Sequence, residues 1–232
     1  MLLPPRIPDH QIALLEKIRQ ENLGEYGPYL SAVERLSMMT IATGVQAVSE
    51  ARYGRTDEAL WYMDRIVERF NRKLPGSISE MMPEYGCFAI AWTSYGIVLP
   101  LIEYVFGIQP DAIHKTVVFE PQLPSRWEDN SIEDLPVGTS VLSFSRAKTA
   151  QGIRYSFTVA EPGWTLVLRA KDAPRSPIPA QRHTGRVRSC RHPHEWRKEV
   201  SAGGSAVTAT AGGTPQPGRP FGGPAARHSG RA

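Results

Sequence analysis

Two carboxylates share one short stretch, Pro75-Gly-Ser-Ile-Ser-Glu80-Met-Met-Pro-Glu84-Tyr-Gly86, and they are the residues best placed by type and spacing to do chemistry. Proline and glycine bound the stretch on both sides and make it a loop, the usual place for a scaffold to present reactive groups. A carboxylate presented from such a loop can accept or give a proton. Glu80 and Glu84 can also be read more simply, as solvated side chains or as acidic residues near the start of the next helix. Tyr85, between them and Gly86, offers an aromatic face that a sugar ring could stack on. Trp92 follows on an apolar run, where core packing is the commoner use of an indole.

The elements around this loop read as helices before it and strands after it. Asp9 caps a short amphipathic helix over residues 8 to 20, with Ile12, Leu15 and Ile18 on one face. Ser31-Ala-Val-Glu34 has the form of a capping box and predicts a long helix to about Tyr53, stopped by Gly54. Thr56, Asp57 and Glu58 open the next helix, with Leu60, Met63, Val67 and Phe70 as its apolar face, and the short link makes the two an antiparallel pair. A further helix is expected from Cys87 to Phe106, apolar on nearly every side and so surrounded by others, with Cys87 a buried structural thiol. Pro100 and Glu103 interrupt the apolar stretch from Phe88 to Ile108 and argue against a membrane span.

Beyond Pro110 the period changes. Residues 115 to 120, 139 to 145, 153 to 159 and 164 to 169 are short β-rich runs separated by turn signals, which predicts a small antiparallel sheet.

Composition divides the chain once more. Residues 1 to 172 carry 17 Lys and Arg against 21 Asp and Glu, whereas residues 173 to 232 carry 10 against 2, so the basic balance belongs to the tail. The tail is rich in Gly and Pro, has no apolar period, and is expected to be disordered. Its Arg, Ala, Gly, Pro and His bias is also what out-of-frame reading of a GC-rich gene would produce. His183, Cys190, His192 and His194 match no common zinc spacing, so no metal site is assigned. The tail's arginines could meet phosphates without sequence preference, and no specific nucleic-acid partner is expected. Two cysteines on opposite sides of the composition break suggest no disulfide framework, and the N-terminus lacks the pattern of a signal peptide. A cytoplasmic location with no cofactor is the expectation.

Taken in order, Pro75-Gly-Ser-Ile-Ser-Glu80, Gly86-Cys-Phe-Ala-Ile-Ala-Trp92-Thr-Ser-Tyr-Gly-Ile, Tyr104-Val-Phe-Gly-Ile-Gln-Pro-Asp111 and Val118-Phe-Glu-Pro-Gln-Leu-Pro-Ser-Arg-Trp127 resemble the C-terminal part of six-hairpin glycoside hydrolases. The amylo-α-1,6-glucosidase (glycogen-debranching) group is the nearest in pattern, α-L-rhamnosidases next, over about residues 8 to 172. The resemblance implies a mainly α fold: residues 1–110 as C-terminal hairpins of an (α/α)6 barrel, residues 111–172 as a small antiparallel β domain, and residues 173–232 as the disordered tail. It implies inverting hydrolysis of an oligosaccharide or polysaccharide of α-glucan type, with Glu80 as general base, Glu84 as the runner-up, and Tyr85 and Trp92 as sugar contacts. The general acid of such enzymes lies upstream, in a part this chain does not contain. The resemblance therefore implies a fragment that is inactive alone and only marginally folded, because an incomplete toroid leaves apolar helix surface uncovered.

Overall fold

The computed structural model describes residues 9–150, 152–169, 187–189, 195–199 and 207–211. The helical half begins with α1 (Asp9–Glu21), close to its expected span. Two short strands, β1 (Leu23–Gly24) and β2 (Gly27–Pro28), form a tight antiparallel ribbon after it. Ser31 makes the local bonds of its capping box, accepting the Glu34 N–H on its side chain at 3.2 Å and the Arg35 N–H on its carbonyl at 3.1 Å. The turn does not propagate, because Arg35 sits in the left-handed region at φ 52° and sends the chain into an extended segment. The helix expected from Ser31 therefore starts nine residues later, as α2 (Thr40–Arg52), just after β3 (Met38–Met39).

The Thr56 start holds, and α3 (Thr56–Val67) packs against α2 around Ala47, Ala51, Ala59, Leu60, Tyr62 and Met63. The alanines let the two backbones approach closely.

The continuous helix expected over Cys87–Phe106 is a correction. Residues 87–90 are not helical; a 3-10 turn (Ala91–Ser94) leads into one and a half turns of α4 (Tyr95–Leu99), and a π-helical stretch (Pro100–Val105) follows. Pro100 has no N–H to give to the carbonyl four residues back, and beyond it the ladder re-forms in a wider turn, the Phe106 N–H bonding the Leu101 carbonyl at 2.8 Å. Nor is this segment surrounded by helices: Val98 and Leu99 face outward while Val105 and Phe106 are buried. Cys87 is exposed, not a buried thiol.

The remainder is β. β5 (Ile108–Asp111), β6 (Thr116–Phe119) and β10 (Thr165–Arg169) lie in a five-stranded sheet completed by β12 (Glu195–Glu199) and β11 (Val187–Ser189), in the order β11-β12-β10-β6-β5. The pairing of β6 with β10 is parallel, Thr116 opposite Thr165 and Phe119 opposite Leu168. Leu166, Val167 and Leu168 are all buried, as befits a central strand covered on both faces. A second sheet, antiparallel throughout, runs β13 (Val207–Ala211), β9 (Gly152–Val159), β8 (Ser140–Thr149), β7 (Asn130–Val137). The sheets face one another across an aromatic core, where the Phe119 ring lies 4.4 Å from that of Phe157 and 5.5 Å from that of Phe144. Leu101, Leu123 and Trp127 touch both this core and the α2–α3 core.

The mainly α expectation is thus overturned, and with it the barrel. Among the described residues there are four α-helices, and the largest core belongs to two packed sheets. The helices lean on that sandwich through Leu101, Leu123 and Trp127 and do not close on one another. The physical cause is length: one antiparallel helix pair and a broken third element bury one stripe each and must find cover elsewhere. Most of the tail called disordered lies outside the described residues, as do His183, Cys190, His192 and His194; its described parts are the three strands named above. No helix among the described residues is long and apolar enough to cross a membrane.

Candidate functional site

The loop from Pro75 to Gly86 folds back on itself through β4 (Met81–Met82), which pairs antiparallel with β3, Met82 opposite Met38 and Met81 opposite Met39. Both strand methionines of β4 are buried, so the apolar pair Met81-Met82 anchors the loop and leaves Glu80 and Glu84 at its two shoulders. Across the loop, the Met81 N–H bonds the Tyr85 carbonyl at 3.2 Å and the Glu80 N–H bonds the Cys87 carbonyl at 2.8 Å.

Glu80 is half-buried and its side chain is held by backbone. One carboxylate oxygen, Oε2, accepts the Cys87 N–H at 3.1 Å, and no hydrogen bond joins the other oxygen to the described residues. Gly86 makes the seat possible: its φ of +78° suits glycine, and a Cβ there would stand 2.8 Å from Glu80 Oε2. From behind, Thr40 takes the Glu80 carbonyl with both its N–H, at 2.9 Å, and its hydroxyl, at 3.0 Å.

Glu84 has a different setting. Arg69, just past the end of α3, donates from Nη1 to Glu84 Oε1 at 2.6 Å, and the guanidinium lies over the Tyr26 ring with its carbon 3.6 Å from the centroid. The Arg69 hydrogen bond, ahead of any other influence, holds the Glu84 carboxyl below the usual carboxylate range. The two carboxylates are on one loop, as the sequence indicates, but among the described residues Glu84 has a cation beside it and Glu80 has none.

Tyr85 is exposed on the same loop, with Cys87 and Phe88 exposed after it. Trp92 lies in the 3-10 turn, not on a long apolar helix, and its side chain lies outside the described part. Among the described residues no cluster of His, Cys, Asp and Glu could hold a metal ion.

Sequence reasoning missed Thr40, Thr93 and Arg69. Thr40 and Thr93 are fully buried with their hydroxyls 3.1 Å apart, beneath the loop. Thr40 falls inside the helix expected from Ser31, so neither its place at a helix start nor its reach to residue 80 was legible. Arg69 gave no signal, lying in a charged run that reads as a solvated helix end. A second buried group was also missed: Glu50, on α2, is fully buried, and Arg55, in the turn to α3, pairs with it while also meeting Glu16 and Glu58. Burial pushes the Glu50 carboxyl up despite Arg55, and Gln46 supplies a further bond at 3.3 Å. This cluster ties α1, α2 and α3 together.

Comparison of the chain with protein-family models, with curated proteins and with solved structures gives no match.

Proposed function

We propose that this chain carries the general base of an inverting glycoside hydrolase acting on α-glucan-like substrates, and that Glu80 is that base. One observation carries the reading: Glu80 is held by backbone bonds with no cation paired to it among the described residues, whereas Glu84 is neutralised by Arg69. A base in single-displacement glycoside hydrolysis must accept a proton from the water that attacks the anomeric carbon, and a carboxylate whose basicity a guanidinium lowers serves that poorly. The order of motifs along residues 75 to 127 supports the same reading.

The acid is not Glu84. A group that protonates the leaving oxygen works best with a raised pKa, and Arg69 drives Glu84 the other way. The chain alone should accordingly fail on maltooligosaccharides, whose leaving group needs a proton. α-Glucosyl fluoride needs none, since fluoride departs unprotonated. Incubated with it, the chain is expected to release fluoride, Glu80→Gln to lower the rate by about 10²- to 10⁴-fold, and Glu84→Gln to retain activity. No fluoride release by the chain, or release unchanged in Glu80→Gln, overturns the assignment.

The exposed ring of Tyr85 favours a second reading, sugar binding without cleavage. Calorimetric titration with maltooligosaccharides, lost in Tyr85→Ala and kept in Glu80→Gln, would support it. The cytoplasm is the compartment we assign, consistent with the free exposed thiol of Cys87.

A further inference from the structure

We propose that Thr40 is the positioning residue of Glu80: a single buried hydroxyl sets the direction of the carboxylate from the far side of the loop. The inference rests on the reading of Glu80 as the base. Thr40 opens α2, where the first N–H groups have no partner within the helix. Met39 before it is extended and supplies no side-chain cap, and the Thr40 N–H is taken up instead by the Glu80 carbonyl at 2.9 Å.

The hydroxyl goes further. Thr40 Oγ1 lies 3.0 Å from the Ser79 carbonyl, 3.0 Å from the Glu80 carbonyl and 3.1 Å from Thr93 Oγ1. A hydroxyl has one proton to give and lone pairs to accept with. When Thr93 donates to it, the Thr40 proton is shared between the two carbonyls. Those carbonyls belong to the two peptide planes on either side of the Glu80 Cα, so one hydroxyl fixes both. The side chain then leaves the backbone in a set direction and meets the Cys87 N–H at 3.1 Å, with Gly86 open beside it. Thr40 and Thr93 are sealed from solvent, so water cannot stand in for either hydroxyl. Valine would fill the same volume and provide no bond.

The test reads the Cys87 amide, which senses the carboxylate directly. The chain has two cysteines, so selective 15N-cysteine labelling yields a spectrum of two amide signals. Glu80→Ala marks where the Cys87 signal falls when the bond to Oε2 is absent. Thr40→Val is expected to move it to that position, and Thr40→Ser to leave it at the wild-type one. A Cys87 signal unmoved in Thr40→Val, or moved equally in Thr40→Ser, overturns the proposal. Should Thr40→Val not fold, Thr93→Val decides: the signal is expected to move part of the way to the Glu80→Ala position, and no movement overturns the proposal. A purely structural role would lower the melting temperature without displacing this signal in the folded protein. The readout needs no turnover, so its failure is separate from failure of the base assignment, which fluoride release alone decides.

Discussion

Arg69 binds Glu84 at 2.6 Å and thereby joins the end of α3 to the shoulder of the loop that carries Glu80. The pair is mostly covered, Arg69 also lying on Tyr26, which places it between an exposed ion pair and a buried one. Because the folded-state pKa of Glu84 is depressed, its contribution is present above the unfolded carboxylate value of about 4.3 and is lost as pH falls through the folded value. Urea unfolding from pH 7 to pH 3 should therefore show wild type losing about 1 to 2 kcal/mol more than Glu84→Gln on the acid side. Equal acid slopes would show that the pair contributes nothing to stability.

Glu50 has the opposite sign. Burial raises its folded pKa, so its favourable contribution is complete below the unfolded value and disappears as pH rises through the folded one. At neutral pH Arg55 is what makes the buried carboxylate tolerable. Arg55→Ala should cost about 3 to 5 kcal/mol at pH 7, with the loss shrinking on acidification as Glu50 takes a proton. Adding Glu50→Gln to Arg55→Ala should restore part of the stability, and a double variant no better than the single would contradict this account.

Tyr62 is fully buried on α3, and its hydroxyl has no hydrogen-bond partner among the described residues. Burial raises its pKa strongly, which keeps it a neutral phenol. Removing an unsatisfied buried hydroxyl relieves its desolvation, so Tyr62→Phe should stabilise the fold by about 1 kcal/mol. A loss of stability in thermal or urea unfolding would reveal a partner for that oxygen.

Gly96 on α4 lies against Gly44 on α2, and a Cβ at residue 96 would stand 2.5 Å from the Gly44 Cα. The obstacle is backbone, so the helices would have to separate. Gly96→Ala is expected to destabilise by about 1 to 3 kcal/mol. Gly44→Ala, whose Cβ would be 3.1 Å from the Gly96 Cα, should cost less in the same denaturation assay.

What was legible in the sequence follows from which forces are local. α1 and α3 could be read because each has a start signal and apolar residues at helical spacing, though of the face expected for α3 only Leu60 and Met63 are buried, Val67 and Phe70 being exposed and Phe70 lying past its end. The strands of residues 116 to 119, 140 to 149, 152 to 159 and 165 to 169 could be read because β-branched and aromatic residues cluster in them. β5 was hidden by Pro110, which an edge strand tolerates, and β7 by its Glu133-Asp134 pair, which sits at a break in register against β8. The late start of α2 turned on the backbone of one residue, Arg35. The separation of the two carboxylates was illegible for a different reason: it depends on which one Arg69 reaches, a contact set by tertiary packing. Strand pattern likewise says nothing of partner, and so the parallel pairing of β6 with β10 could not be foreseen.

That pairing also has a bearing on the order in which the protein can assemble. β5 and β6 can zip together as soon as both have been made, but the other edge of β6 must wait until all of β7, β8 and β9 have emerged and β10 arrives. β7, β8 and β9 are sequential neighbours joined by short turns, which lets them pair early at small loop-closure cost. Phe119, on β6, meets Phe144 and Phe157 of that second sheet, so the aromatic core and the central strand of the first sheet are completed together. During synthesis the helical half and its loop would therefore rest against a half-built sandwich, and the rate of reaching the native state would be governed by the closure that brings residues 165 to 169 beside residues 116 to 119.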